Sequence, residues 1–180
     1  MSSYSNTFLL AIERTSSQGY ETEPYELPSG PGRISEEHGK QLADIASQVL
    51  GSKGQLEAID IACRCAEVSL AMKGHVERVV GHTATLTIGA VTLNGTSIIQ
   101  AHGLDIPQMA RTGSYHVWLT LPWLEIVDFT LRVSLAVLNG RPLTEAGPLA
   151  GYPDFMKPAE WHPIYVGTAA TTALLDRGRS

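Results

Sequence analysis

The sequence predicts an α+β domain, a central apolar helix packed on an antiparallel sheet, and three patterns carry that prediction. Apolar residues recur at helical spacing between residues 36 and 73. From residue 75 to 130 the period shortens and Val and Thr accumulate, as in strands. Asn94-Gly95 and a turn centred on Pro122 join successive apolar runs, and short turns of that kind connect antiparallel neighbours. With 180 residues and a 43% hydrophobic composition, the chain is large enough for one packed core.

Residues 7–13 are an apolar run that fits a strand or one face of a helix. Residues 16–33 are polar and interrupted by Pro24, Pro28 and Pro31, so residues 1–33 read as an N-terminal arm or linker and 34–180 as a single domain. Ser35 is a good N-cap for a helix with Glu36 and Glu37 in its first turn and Leu42, Ile45, Val49 and Leu50 on its apolar face; Gly51-Ser52 end it. A second helical stretch runs from about Gln55 to Lys73. Its apolar and small residues, among them Ile59, Ala62, Cys65, Ala66 and Ser69, form a surface broad enough for a central helix. Asp60 interrupts it, which would start a new helix near Ala62 and place Cys63 or Cys65 close to its N-terminus.

Strands are expected over 75–87, 88–93 and 96–100, the last two joined at Asn94-Gly95. Residues 101–113, with Pro107, form a loop or short helix. Residues 131–138 fit a helix or another strand, closed by Asn139-Gly140. The segment 139–180 is expected to wrap over the sheet, anchored by Tyr152, Phe155, Trp161 and Tyr165, with a last helix at about 168–176.

The formal net charge is −5 and Lys and Arg are not clustered, which argues against nucleic acid or an anionic membrane surface as partner. No apolar run approaches the roughly 20 residues needed to span a bilayer. Residues 1–6 lack the basic start and apolar core of a signal peptide, so the expected location is cytoplasmic, or exported without such a signal. Cys63 and Cys65 are too close on a helix to bridge each other. They could join His75 or His82 around a metal, but no second compact ligand pair follows, so neither metal nor cofactor is assigned.

The chemistry-bearing stretch is residues 115–130, two apolar strands folded at Pro122 so that His116 faces Asp128, Trp118 faces Ile126 and Thr120 faces Leu124. His116, Trp118, Ile126 and Asp128 then share one side, and Glu125 falls on the other. A buried carboxylate costs several kcal/mol unless paired, and an imidazole is one such pair. Taken alone, the pair is a satisfied structural contact, Trp118 is packing with a possible role as site wall, and a cysteine in an apolar helix is inert core.

The order of the pieces changes that reading. Cys65 with Ser69 a turn later, then Val79-Val80-Gly81, then His116-Val117-Trp118, then Asp128-Phe129-Thr130 resembles the transglutaminase-like branch of the papain-like cysteine enzymes. The resemblance covers residues 62–130. It implies a papain-like/transglutaminase-like fold with a catalytic core at about 55–138, in which Cys65 is the nucleophile, His116 the base and Asp128 the orienting carboxylate. Cys63 is the alternative nucleophile, although Glu67 then stands where the small residue belongs. No glutamine is clearly placed to complete an oxyanion hole, Gln55 requiring a chain reversal. The implied activity is a cysteine hydrolase acting on an amide or peptide bond of a protein or peptide substrate through an acyl-enzyme: proteolysis, deamidation or acyl transfer. The competing reading is a non-catalytic protein-binding module, of inhibitor or immunity type, on an α+β fold.

Overall fold

A computed structural model describes residues 3–25, 33–51, 61–62, 64–140 and 147–178. Gln55, Asp60 and Cys63 lie outside the described residues. The fold is α+β, an antiparallel sheet between two helical layers.

The chain opens with α1 (Ser3–Ser17). Tyr4, Phe8, Ala11 and Thr15 recur at helical spacing and are all buried, so one face of α1 lies on the sheet. Full burial of Phe8 alone contributes about 2 kcal/mol. The Thr15 hydroxyl, 2.7 Å from the Ala11 carbonyl, accepts the Val166 amide at 2.8 Å and ties the helix to the last strand. The expected N-terminal arm over 1–33 is therefore corrected: its first half is a structural layer. The apolar run at 7–13 was too short to show this, because the helix extends through polar residues at both ends.

Next, α2 (Glu36–Gly51) starts at the expected cap, with the Ser35 hydroxyl accepting the His38 amide at 3.1 Å. Helix α3 (Cys65–Val80) is longer than predicted. It passes through Gly74 because Val68, Met72, Val76 and Val80 bury one continuous face, which outweighs the roughly 1 kcal/mol a mid-helix glycine costs. Lys73 pairs with Glu77 one turn on, at 2.6 Å. Gly81, at φ 73°, caps the end through its amide to the Glu77 carbonyl. Of the strand expected over 75–87, residues 75–80 are helix and only 85–87 are strand, and Val79-Val80-Gly81, one of the pieces carrying the resemblance, is a helix end.

Strand β1 (Thr85–Leu93) is the centre of the sheet, and β2 (Thr96–Ile99) returns along it through Asn94 and Gly95, at φ 51° and 75°. Asp105 then caps α4 (Ile106–Thr112) by a reciprocal box with Gln108. Strand β3 (His116–Thr120) pairs with β1, and β4 (Ile126–Asp128) pairs with β3. Helix α5 (Leu131–Leu138) follows directly, then β5 (Leu149–Gly151), a 3₁₀ turn (Pro153–Phe155), β6 (Ala159–Val166) and α6 (Thr168–Gly178). The segment expected to wrap over the sheet instead contributes β6, which occupies an edge of β1 along most of its length. Pro163 is tolerated there because the pairing shifts at that point, between Ile88 and Gly89 of β1.

Alternation along the strands divides the interior. Leu86, Ile88, Val117, Leu119 and Val127 face α2, α3, α4 and α6, whereas Trp118, Ile126 and Trp161 face α1. Among the described residues no helix is long and apolar enough to cross a membrane.

Candidate active site

The hairpin register differs from the expected one by one pair. Leu119 faces Val127 and Thr120 faces Ile126, so Asp128 lies opposite Trp118, not opposite His116. The cause is the turn. Leu121 donates to and accepts from a five-residue loop, with its amide on the Glu125 carbonyl at 2.8 Å, and Leu124 adopts a left-handed φ of 70°. A two-step shift preserves parity, so His116 and Asp128 keep a common face and meet on the diagonal.

They bond: His116 Nε2 lies 2.7 Å from Asp128 Oδ2, with both side chains almost completely buried. Asp128 is the most fully partnered carboxylate in the site. Its Oδ2 also accepts the Trp161 indole N–H at 2.9 Å, and its Oδ1 accepts the Thr130 and Leu131 amides, each at 3.0 Å. Those amides are at the N-terminus of α5, where the helix leaves donors unpaired and favours negative charge. Burial raises the proton affinity of the carboxyl, but His116, Trp161 and the Thr130 amide outweigh it and hold the pKa below the ordinary value. For His116, burial favours the neutral ring. The Asp128 charge and hydrogen bond, followed by Cys65, override that and push the pKa up to about 10.

Cys65 is the first residue of α3, with Arg64 at the N-cap position and no side-chain cap. Ser69, one turn on, donates its hydroxyl to the Val117 carbonyl at 2.9 Å and so fixes α3 against the strand that carries the histidine. The Cys65 thiol lies 4.0 Å from the carbonyl of Tyr115, the residue before His116, and bears on the His116 ring as one of the influences that raise its pKa. Nε2 is committed to Asp128, so Nδ1 is the ring nitrogen that the carboxylate does not engage. Helix α5 contacts the segment before α3: the Ser134 hydroxyl lies 3.2 Å from the Ala62 carbonyl and 2.9 Å from the Thr130 carbonyl.

The structure bonds His116 to Asp128 and sets the Cys65 thiol beside the carbonyl of Tyr115, the residue before His116. Cys63 lies outside the described residues. Trp118 is fully buried behind the imidazole, stacked at 6.0 Å between ring centroids, with its indole N–H donated to the Tyr4 hydroxyl at 2.7 Å. It backs the site and does not wall an opening. Glu125 stays apart from His116, accepting the Ile34 amide and the Trp123 indole N–H, both at 2.6 Å. Of the histidines weighed for a metal, His75 contacts Arg78 and His82 packs edge-on against Trp123. Among the described residues no three His, Cys, Asp or Glu side chains converge as a metal site.

Sequence reasoning missed two parts of the site. Trp161 was read as an apolar anchor, and its partner is 33 residues away in sequence. Capping of α5 by Asp128 did have a signal, an aspartate three residues before an apolar helical run. No protein family, curated protein or solved structure matches this chain.

Proposed function

We propose that the protein is a cysteine hydrolase or acyl-transferase of papain-like, transglutaminase-like architecture, acting on an amide or peptide bond. The observation that carries the reading is one imidazole held by a fully partnered carboxylate at Nε2 while a thiol at a helix N-terminus lies 4.0 Å from the carbonyl of the residue before that histidine.

In this reading the imidazolium of His116 holds Cys65 as a thiolate, and Asp128 stabilises that imidazolium and fixes its orientation. The thiolate adds to the carbonyl carbon of the substrate, and the backbone N–H groups at the start of α3 face the oxygen that gains charge. Collapse expels the amine, which receives the proton from His116 and leaves an acyl-cysteine. Water then completes hydrolysis, or a second amine completes transfer.

The test is alkylation of Cys65 by iodoacetamide across pH, followed by mass spectrometry of the modified peptide. The reading expects a reactive plateau extending well below the ordinary thiol range near 8.5, which His116→Ala abolishes. A profile that rises only near 8.5 and is the same in His116→Ala would overturn it.

The alternative reading, a binding module, rests on a separate feature. An open depression of about 720 Å³ lies between α1 and the loop before α4, lined by Leu10, Arg14, Asp105 and Tyr165. Leu10 is 62% exposed there. A partner bound at that face would be lost on Leu10→Asp, with Cys65 reactivity untouched.

A further inference from the structure

Asp128 is held by four donors, and one of them is a side chain to which the proposed chemistry gives no role. The two amides on Oδ1 belong to the backbone at the start of α5, and the His116 ring on Oδ2 is the catalytic partner. The fourth donor is the indole N–H of Trp161, 2.9 Å from the same oxygen that meets His116 at 2.7 Å. Trp161 is buried and comes from the far side of the sheet: β6 pairs with β1, β1 with β3 and β3 with β4. It lies opposite Val91, on the face of Val91, Trp118 and Ile126 that His116 and Asp128 share. Gly89, opposite His116, puts no side chain on that face, and the Trp118 ring lies 2.8 Å from where a Cβ would stand. Trp118 gives its N–H to the Tyr4 hydroxyl and Trp123 gives its own to Glu125, so among the indoles Trp161 alone serves the carboxylate of the site. An N–H donor stabilises a carboxylate more than a carboxylic acid. Burial works against the Asp128 charge, and His116 and Trp161 act for it.

We propose that Trp161 is a positioning residue, its indole N–H keeping Asp128 ionised with Oδ2 aimed at His116. This rests on the Cys65–His116–Asp128 reading. Trp161 touches no reacting atom and acts through the carboxylate. The proton on the His116–Asp128 hydrogen bond stays on Nε2, and the resulting imidazolium is the charge that holds Cys65 as a thiolate. Without the indole donor the same proton is drawn toward Oδ2, which leaves an uncharged ring, the form that burial favours, beside a thiol. Loss of one hydrogen bond to a charged group moves a carboxyl titration by about one pH unit or more.

Trp161→Phe keeps an aromatic ring and removes the N–H, and two readouts in the full chain separate donation from packing. Carboxyl carbon-13 NMR of aspartate-labelled protein follows the carboxylate itself, the Asp128 signal being identified by its loss in Asp128→Asn. Its titration is expected to rise by about one pH unit or more in Trp161→Phe. Alkylation of Cys65 by iodoacetamide follows the consequence. The acid limb of the profile is expected to move up by a similar amount, about 10-fold in rate at a pH on that limb, with plateau rates within about twofold. In Asp128→Asn, where no carboxylate remains, adding Trp161→Phe is expected to leave the profile unchanged. A third readout needs no substitution at Trp161: in wild type its indole N–H resonance is expected to shift as Asp128 titrates. A lowered plateau with an unmoved acid limb is the packing outcome and would overturn the proposal. So would a limb shift of equal size in the Asp128→Asn background, or an indole resonance that stays in place while Asp128 titrates. If wild-type Cys65 reacts only in the ordinary thiol range and His116→Ala changes nothing, the parent reading fails and the Trp161 role with it. If that activation is present and Trp161→Phe leaves both the Asp128 signal and the acid limb in place, only the Trp161 role fails.

Discussion

Replacing Asp128 with Asn keeps the shape of the side chain and removes its charge, and the consequence for stability against pH can be worked out. Asp128 accepts from four donors: the His116 ring, the Trp161 indole and the Thr130 and Leu131 amides. An amide has one acceptor oxygen, so its NH₂ must confront either the two side-chain donors or the two backbone donors. Each buried donor left unpaired costs about 1–3 kcal/mol, and breaking a buried pair costs about 3–5 kcal/mol in all. The pH dependence is more diagnostic. In the wild type the His116 pKa is raised from 6.5 to about 10. A raised pKa stabilises the fold fully below the unfolded value near 6.5 and loses that contribution as pH climbs through 10. At about 1.4 kcal/mol per unit, the contribution is on the order of 5 kcal/mol. In Asp128→Asn only burial and Cys65 remain to act on the ring. Burial lowers its pKa, so the contribution changes sign and stability is lost as pH falls below about 6.5. Urea unfolding of both proteins from pH 5 to 10 reads this directly as a difference curve, in which the other titrating groups cancel. The wild-type advantage should be largest near pH 5–6 and shrink steadily toward pH 10. Parallel curves would refute the reasoning, because they would mean that His116 titrates without regard to Asp128.

Three further predictions follow from contacts around the site. Tyr4→Phe leaves the Trp118 N–H and the Thr120 hydroxyl without the oxygen each now meets at 2.7 Å, and should cost about 1–3 kcal/mol in urea unfolding. Gly89→Ala would set a Cβ 2.1 Å from the His162 carbonyl oxygen and 2.8 Å from the Trp118 ring. Backbone must move to relieve the first contact, so destabilisation above about 3 kcal/mol is expected, read as a lowered thermal midpoint. Glu125→Ala removes the acceptor of the buried Trp123 N–H and the Ile34 amide and should also destabilise by about 2–3 kcal/mol, yet leave the pH profile of Cys65 alkylation unchanged.

Local features of this fold are legible in the sequence where the backbone demands a particular residue. Asn94-Gly95 takes positive φ at both positions, and Ser35 accepts an amide two turns of chain before the core begins, so both were readable. The shared face of His116 and Asp128 was readable too, since alternation survives any even shift of register. The register itself was not, because Leu124 adopts φ 70° with no glycine to announce it. Gly74 looked like a helix end by propensity, but tertiary burial of Met72, Val76 and Val80 carried α3 through it. Strand β6 was hidden for the same kind of reason: Pro158 and Pro163 argue against a strand, and only the shift in pairing beside Pro163 admits one.

That register shift decides how the site is assembled. Had Asp128 faced His116 directly, the strand pair alone would have set their contact. On the diagonal, the carboxylate must be aimed, and the N-terminal amides of α5 do this by holding Oδ1 so that Oδ2 points at the ring. Nε2 is thereby occupied, and Nδ1 is the ring nitrogen that the carboxylate does not engage. The same helix contacts the segment entering α3 through Ser134 and the Ala62 carbonyl. Asp128 is thus aimed from one short helix, while His116 sits on a central strand that Ser69 locks to α3, the helix carrying Cys65. A displacement of α5 would move the carboxylate relative to the imidazole, while the Ser69 contact keeps Cys65 and His116 on elements fixed to each other.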